Sequence, residues 1–237
     1  MVTDLQKAVQ DRNYMSVRYY MSREPKQLLQ RDDDSRTPLH WACSLADARI
    51  VSDLLHCPEC NFEIVIDDMA DDSGWTPFHI ACSVGDLETV KLLANFNPKP
   101  DVNLKTNSGQ TALHFATSKQ RYNVAEYLVV ECRASSRIKD KRSQIPLHRA
   151  ASVGSIKLCE LLINKGNSPL NAQDSDGYTA LHHALSEGHG ELAVRLVKLG
   201  ADFRLPDKDD KLPVEVAVDD KVQKFFIKSL QEEGLID

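Results

Sequence analysis

Asp71-Asp72-Ser73-Gly74-Trp75-Thr76-Pro77-Phe78-His79-Ile80-Ala81-Cys82 decides how this chain reads, and at its centre stands the tetrapeptide Thr76-Pro77-Phe78-His79. Thr37-Pro38-Leu39-His40 precedes it; Thr111-Ala112-Leu113-His114, Ile145-Pro146-Leu147-His148 and Thr179-Ala180-Leu181-His182 follow. Leu212-Pro213-Val214-Glu215 is a decayed last copy and Thr3-Asp4-Leu5-Gln6 a degenerate first one. From Thr37 onward the copies are 39, 35, 34, 34 and 33 residues apart. A fixed period of this size marks a repeated unit that buries its apolar face only by stacking on its neighbours.

Helix physics explains why these residue types occur together. Thr is a good N-cap, because its hydroxyl can accept a bond from an orphan first-turn amide. Pro suits the first helical position, where no amide partner is lost. Leu or Phe then opens a buried stripe. A period near 33 with this tetrapeptide is the signature of ankyrin repeats. The expected fold is therefore an all-α ankyrin-repeat solenoid of seven helix-turn-helix repeats with hairpin loops, curved with a concave groove. One domain spans 1–237, with repeats at about 3–34, 35–70, 71–105, 106–139, 140–173, 174–206 and 207–237. In ankyrin repeats the His bonds backbone between neighbouring loops, which gives His40, His79, His114, His148 and His182 a structural role.

Along the chain, Leu5, Ala8 and Val9 suit one short helix, and Val17, Tyr20 and Met21 a second. Gln6, Lys7, Gln10, Asp11, Arg12 and Arg18 read as the polar outer side of an end repeat. Helices are expected near 38–46 and 48–56. The long second step places five extra residues within Cys57–Ile66, as a loop with Phe62 and Ile64 tucked against the second helix. Gly74, Gly109 and Gly177 supply positive φ at hairpin tips, and Ser143 stands in that place in repeat five. Leu87–Leu93 and Ile156–Leu162 carry the apolar spacing of a helix packed on one side.

No phosphate loop, nucleophile elbow or paired metal-ligand motif occurs. The chain reads as a non-enzyme with no catalytic, cofactor-binding or metal residues. His182, His183 and His189 lack a known ligand spacing. Cys43, Cys82, Cys132 and Cys159 fall in or beside helices and read as buried thiols in a reducing compartment. Cys57-Pro58-Glu59-Cys60 is a CxxC with no second pair near it, which argues against a zinc site and more strongly against a redox role. No apolar run approaches the ~18 residues a membrane span needs. The start of the chain carries no basic segment followed by an apolar one. Together these predict a cytoplasmic protein that also enters the nucleus.

Charge is the informative feature. Residues 1–103 hold 10 basic and 17 acidic residues, net −7; residues 104–165 hold 11 and 4, net +7; residues 166–237 hold 8 and 14, net −6. Acid gathers on the early tips, at Asp33, Asp34, Asp71 and Asp72, beside Arg36; base gathers in the middle, at Lys139, Lys141 and Arg142, with Lys119 and Arg149 on nearby helices. Such a pattern implies a protein partner with the opposite order of charge. It argues against nucleic acid, which calls for an uninterrupted basic stripe, and against a membrane surface. Trp75 and Tyr178 stand just before the tetrapeptide and are candidate anchors. Trp41 and Phe115, one place after it, read as core. Arg149 and His183 share that place, where a polar residue is unexpected.

The most specific stretches are Asp71 through Gly85, Arg137-Ile138-Lys139-Asp140-Lys141 with Leu147 through Ser155, and Ala184-Leu185-Ser186-Glu187-Gly188-His189-Gly190. Through them the whole chain resembles the gankyrin family, in its fungal form. The resemblance implies a monomeric chaperone for assembling the proteasome regulatory particle. It would bind the C-terminal domain of one triple-A ATPase subunit in its concave groove, with acidic contacts toward the N-terminal end and basic ones in the middle. The alternative is a cytosolic ankyrin adaptor or inhibitor of another target, such as a kinase or transcription regulator. Leu55-His56-Cys57-Pro58-Glu59 also matches the LxCxE pattern linked to animal members, but lies far from that family's late location and reads as coincidence.

Overall fold

The structure, a computed structural model, describes residues 2–60 and 62–236. It contains thirteen α-helices and three 3-10 turns, with no strand among the described residues. Two compact units divide it, Met1–Val124 and Ala125–Asp237.

In the first unit the helices run in pairs: α1 (Asp4–Gln10) with α2 (Tyr14–Arg23), α3 (Pro38–Ser44) with α4 (Ala48–Leu55), and α5 (Pro77–Val84) with α6 (Leu87–Ala94). The first helix of each pair packs on the first helix of the next, from α1 to α3 to α5 and on to α7 (Ala112–Ser118); α2, α4 and α6 stack behind them. Their core is Leu5, Val9, Leu39, Ile50, Leu54, Phe78, Val90, Leu93 and Leu113, all essentially buried. Helix α8 (Tyr122–Val130) carries the chain across the division. The second unit repeats the scheme with α9 (Pro146–Ser152) and α10 (Ile156–Asn164), α11 (Ala180–Ser186) and α12 (Gly190–Lys198), and closes with α13 (Asp220–Glu232) packed on α12.

The tetrapeptides begin α3, α5, α7, α9 and α11, as the spacing predicts, and their histidines are buried. Each Nε2 with a described partner faces a carbonyl in the loop that leads to the next tetrapeptide: Trp75 at 3.1 Å from His40, Leu104 at 3.0 Å from His79, Ala172 at 2.9 Å from His148 and Lys211 at 3.4 Å from His182. Nε2 therefore carries the proton, and Nδ1 is left to accept. It takes the backbone N–H of the capping residue at 3.0–3.2 Å in all five copies. The expected Thr hydroxyl-to-amide cap is the weaker element, at 3.4 Å in Thr76 and Thr179. The hydroxyl sits nearer the ring, 2.9 Å from Nδ1.

The end repeats modify this device. Gln6 is fully buried rather than part of a polar outer side. Its Oε1 accepts from the Thr3 amide (2.8 Å) and its Nε2 donates to the Arg36 carbonyl (2.7 Å), so one amide performs both jobs of the histidine. Glu215 in the last copy keeps only the capping half, accepting from the Leu212 amide at 2.6 Å. The last copy forms a 3-10 turn, Pro213–Val216, in place of an α-helix. In the insert Ile64 and Ile66 are buried; Phe62 is only half-buried, and Asn61 lies outside the described residues.

Candidate partner-binding surfaces on the hairpin tips

Most tips are built around one aspartate; the tip at 106–110 has Thr106 in that place. In five tips the Oδ1 of Asp32, Asp71, Asp140, Asp174 or Asp207 accepts the amides two and four residues on, at 2.8–3.1 Å. This side-chain-to-backbone closure fixes the loop. It also forces a positive φ near its end, met by Gly74 and Gly177 and by Ser35, Ser143 and Asp210. Neighbouring tips are then riveted by backbone bonds. In the first unit the Asp72 amide donates to Asp34 O (3.3 Å) and the Asn107 amide to Ser73 O (3.0 Å). In the second, the Ser175 amide donates to Arg142 O (2.8 Å) and the Lys208 amide to Asp176 O (3.2 Å).

The second carboxylate oxygen of most of these aspartates is taken up by a side chain. Asp32 accepts from the Trp41 indole (2.8 Å), Asp71 from Arg36 Nε (3.1 Å) and Asp140 from Arg149 Nη2 (2.8 Å). Asp174 takes Gln144 Nε2 and His183 Nε2, both at 2.9 Å. Burial alone would raise the Asp174 carboxyl; the hydrogen bonds from Gln144, the Asp176 amide and His183 outweigh it and hold it below the ordinary carboxylate range. The same balance lowers Asp32, where burial is outweighed by the Arg36 amide, the Trp41 indole and the Asp34 amide.

Against this frame the candidate residues separate. In the first unit Asp33, Asp34, Asp72 and Lys119 are exposed, whereas Asp71 is 8% exposed and bound into its own loop. Arg36 is half-buried, paired with Asp71 and over the Trp41 ring. Trp75 is half-buried, its ring 3.9 Å from that of Phe115, so its remaining face is a rigid aromatic surface. Phe115 is core as expected; Trp41 is half-buried instead, because its indole reaches Asp32. In the second unit Lys139, Lys141 and Arg142 are exposed. Arg142 meets Asp176 at 3.5 Å, an exposed pair of little strength. Arg149 is half-buried, held by Asp140, with its Nε buried and without a partner among the described residues. Tyr178 is half-buried, stacked on His182 and edge-on to His183. The three late histidines point to separate partners: Lys211 O for His182, Asp174 for His183, Ser152 O for His189.

Sequence reading missed the aspartate-to-helix clasp. A signal was present: Trp41, Arg149 and His183 each follow a tip aspartate by nine residues. Leu55 of the LxCxE-like stretch is buried at the end of α4, which leaves it unable to act as an extended ligand without unfolding that turn.

The chain belongs to the ankyrin-repeat family, in its gankyrin-like branch: the family model for ankyrin repeats (3 copies) matches residues 47–140 and 130–207. It is 49% identical over 227 residues to the probable 26S proteasome regulatory subunit p28 of Saccharomyces cerevisiae, covering 95% of this chain and 98% of that protein. It is 37% identical over 212 residues to the ankyrin repeat-containing protein C6C3.08 of Schizosaccharomyces pombe, covering 90% and 88%. Among solved structures it is similar to the ankyrin repeat domain of Bcl-3, a member of the IkappaB family. There the TM-score is 0.77 at 26% identity, over 95% of this chain and 98% of that one.

Proposed function

We propose that this chain is a non-catalytic assembly chaperone of the proteasome regulatory particle, and that its hairpin tips bind the C-terminal domain of one triple-A ATPase subunit. The observation that carries this reading is the 49% identity, along 95% of the chain, to a proteasome regulatory subunit. The tips add the chemistry. Asp33, Asp34 and Asp72 of the first unit call for basic side chains on the partner, and Lys139, Lys141 and Arg142 of the second call for acidic ones. Complementarity of this kind sets register and encounter rate more than affinity. Trp75, Tyr178, Arg36 and Arg149 supply held, partly desolvated contact surface, the kind that carries binding energy.

The mechanism is steric and needs no bond made or broken. The chaperone holds the ATPase tail domain, delays its docking on the core particle until assembly is complete, and then leaves. It acts as a monomer in cytoplasm and nucleus, with an interface of roughly 800 Å² on each side. Titrating the full chain against each purified ATPase C-terminal domain tests this. One domain binding selectively is the expected result. If none binds at micromolar concentration, the proposal is rejected in favour of an ankyrin adaptor or inhibitor for another target.

A further inference from the structure

We infer that Cys57 and Cys60 form a dithiol/disulfide couple that exchanges with low-molecular-weight disulfides such as oxidised glutathione. The inference is independent of the proposed function. It rests on the insert that lengthens the second repeat.

Cys57-Pro58-Glu59-Cys60 follows His56, the residue that caps the C-terminus of α4. The Cys60 amide donates to the Cys57 carbonyl at 3.3 Å, which closes the four residues into a turn. Pro58 stands at the second position, where its fixed φ favours that turn. A β-turn keeps its first and fourth Cα atoms within ~7 Å. A disulfide spans ~4.4–6.8 Å between Cα atoms. The bond therefore calls for little backbone movement.

Reactivity follows access. Cys57 and Cys60 are half-buried, and solvent reaches both. Cys43, Cys82 and Cys159 are fully buried in helices α3, α5 and α10. Cys132 is half-buried, with no second cysteine in its turn. Burial, and then the neighbouring Cys57 thiol, push the Cys60 thiol up to about 12, so Cys60 holds its proton.

Cys57 thus enters the exchange first. Its thiolate attacks one sulfur of the small disulfide, whose S–S bond breaks. A mixed disulfide forms, and one small thiol leaves and takes up a proton. Cys60 then loses its proton and attacks the Cys57 sulfur, expelling the second small thiol. The protein has lost two electrons and two protons, and the small disulfide has become two thiols. The weak contact of Cys57 Sγ with the Met21 carbonyl (3.7 Å), at the end of α2, loses its donor in the process.

Intact-mass analysis of the folded full chain after incubation with oxidised glutathione is the test. The wild type should lose two hydrogens and retain no glutathione. Peptide mapping should join Cys57 to Cys60, with Cys43, Cys82 and Cys159 still reduced. Cys60→Ser should trap one glutathione on Cys57. A wild type that stays reduced, that keeps a stable glutathione adduct, or that pairs either cysteine elsewhere would overturn the inference. So would a Cys60→Ser chain that holds no adduct.

Discussion

At the scale of single residues, one position in each repeat does two jobs. It caps its own helix through an acceptor and grips the following loop through a donor. His40, His79, His148 and His182 do both, Gln6 does so in the first copy, and Glu215 keeps only the acceptor where α13 follows in place of another hairpin tip. The choice of side chain therefore follows from what is left to bond. Gln6→Ala should cost about 1–3 kcal/mol in urea unfolding, because it orphans the buried ends of both bonds. Gln6→His should recover most of that loss. Acid should act on the same device. Burial pushes His40 and His148 down to about 4, while the unfolded imidazoles titrate near 6.5. Between those values the unfolded chain binds more protons, so stability falls as pH falls from about 6.5 to about 4, by on the order of 2–3 kcal/mol for each group. The lowered carboxyls of Asp32 and Asp174 extend the loss further into acid. Denaturant midpoints measured at pH 7.5 and pH 5 check this. A midpoint unchanged over that window would contradict the buried neutral histidines.

At the scale of elements, the loop tips are as highly specified as the helices. Gly74 has φ 78°, and a Cβ there would sit 2.6 Å from the Asn107 amide, the group that rivets this tip to its neighbour. Gly74→Ala should therefore destabilise by about 2 kcal/mol or more, since left-handed strain and a backbone clash add. Ser143 holds φ 56° without glycine. Ser143→Gly should gain at most about 1 kcal/mol, because relief of that strain is partly offset by added freedom in the unfolded chain. Thermal unfolding of the two variants reads both effects. Helix positions and tip glycines were legible in the sequence because period and φ requirement are local properties. The commitment of Asp71 was not. Tip position alone does not say that both carboxylate oxygens are consumed, one by Ser73 and Trp75 amides and one by Arg36. Trp41 misled for a related reason: it shares a site with buried Phe115, yet its indole finds Asp32.

At the scale of the whole molecule, the account rests on charge sorted along the chain and displayed on loops. The sorting itself could be counted from the sequence. What the structure adds is which charges remain for a partner once the loops are built. Asp33, Asp34 and Asp72 stay exposed in one unit, and Lys139, Lys141 and Arg142 in the other, while Asp71 and Asp140 are spent internally. The most direct measurement is calorimetric titration of the purified ATPase C-terminal domain with wild type and with Lys139→Glu/Lys141→Glu/Arg142→Glu, at low and high salt. The account predicts selective wild-type binding that weakens with salt. The triple variant, folded by circular dichroism, should bind at least about 100-fold more weakly, a loss of roughly 3 kcal/mol. Equal binding by wild type and triple variant, with equal indifference to salt, would contradict it.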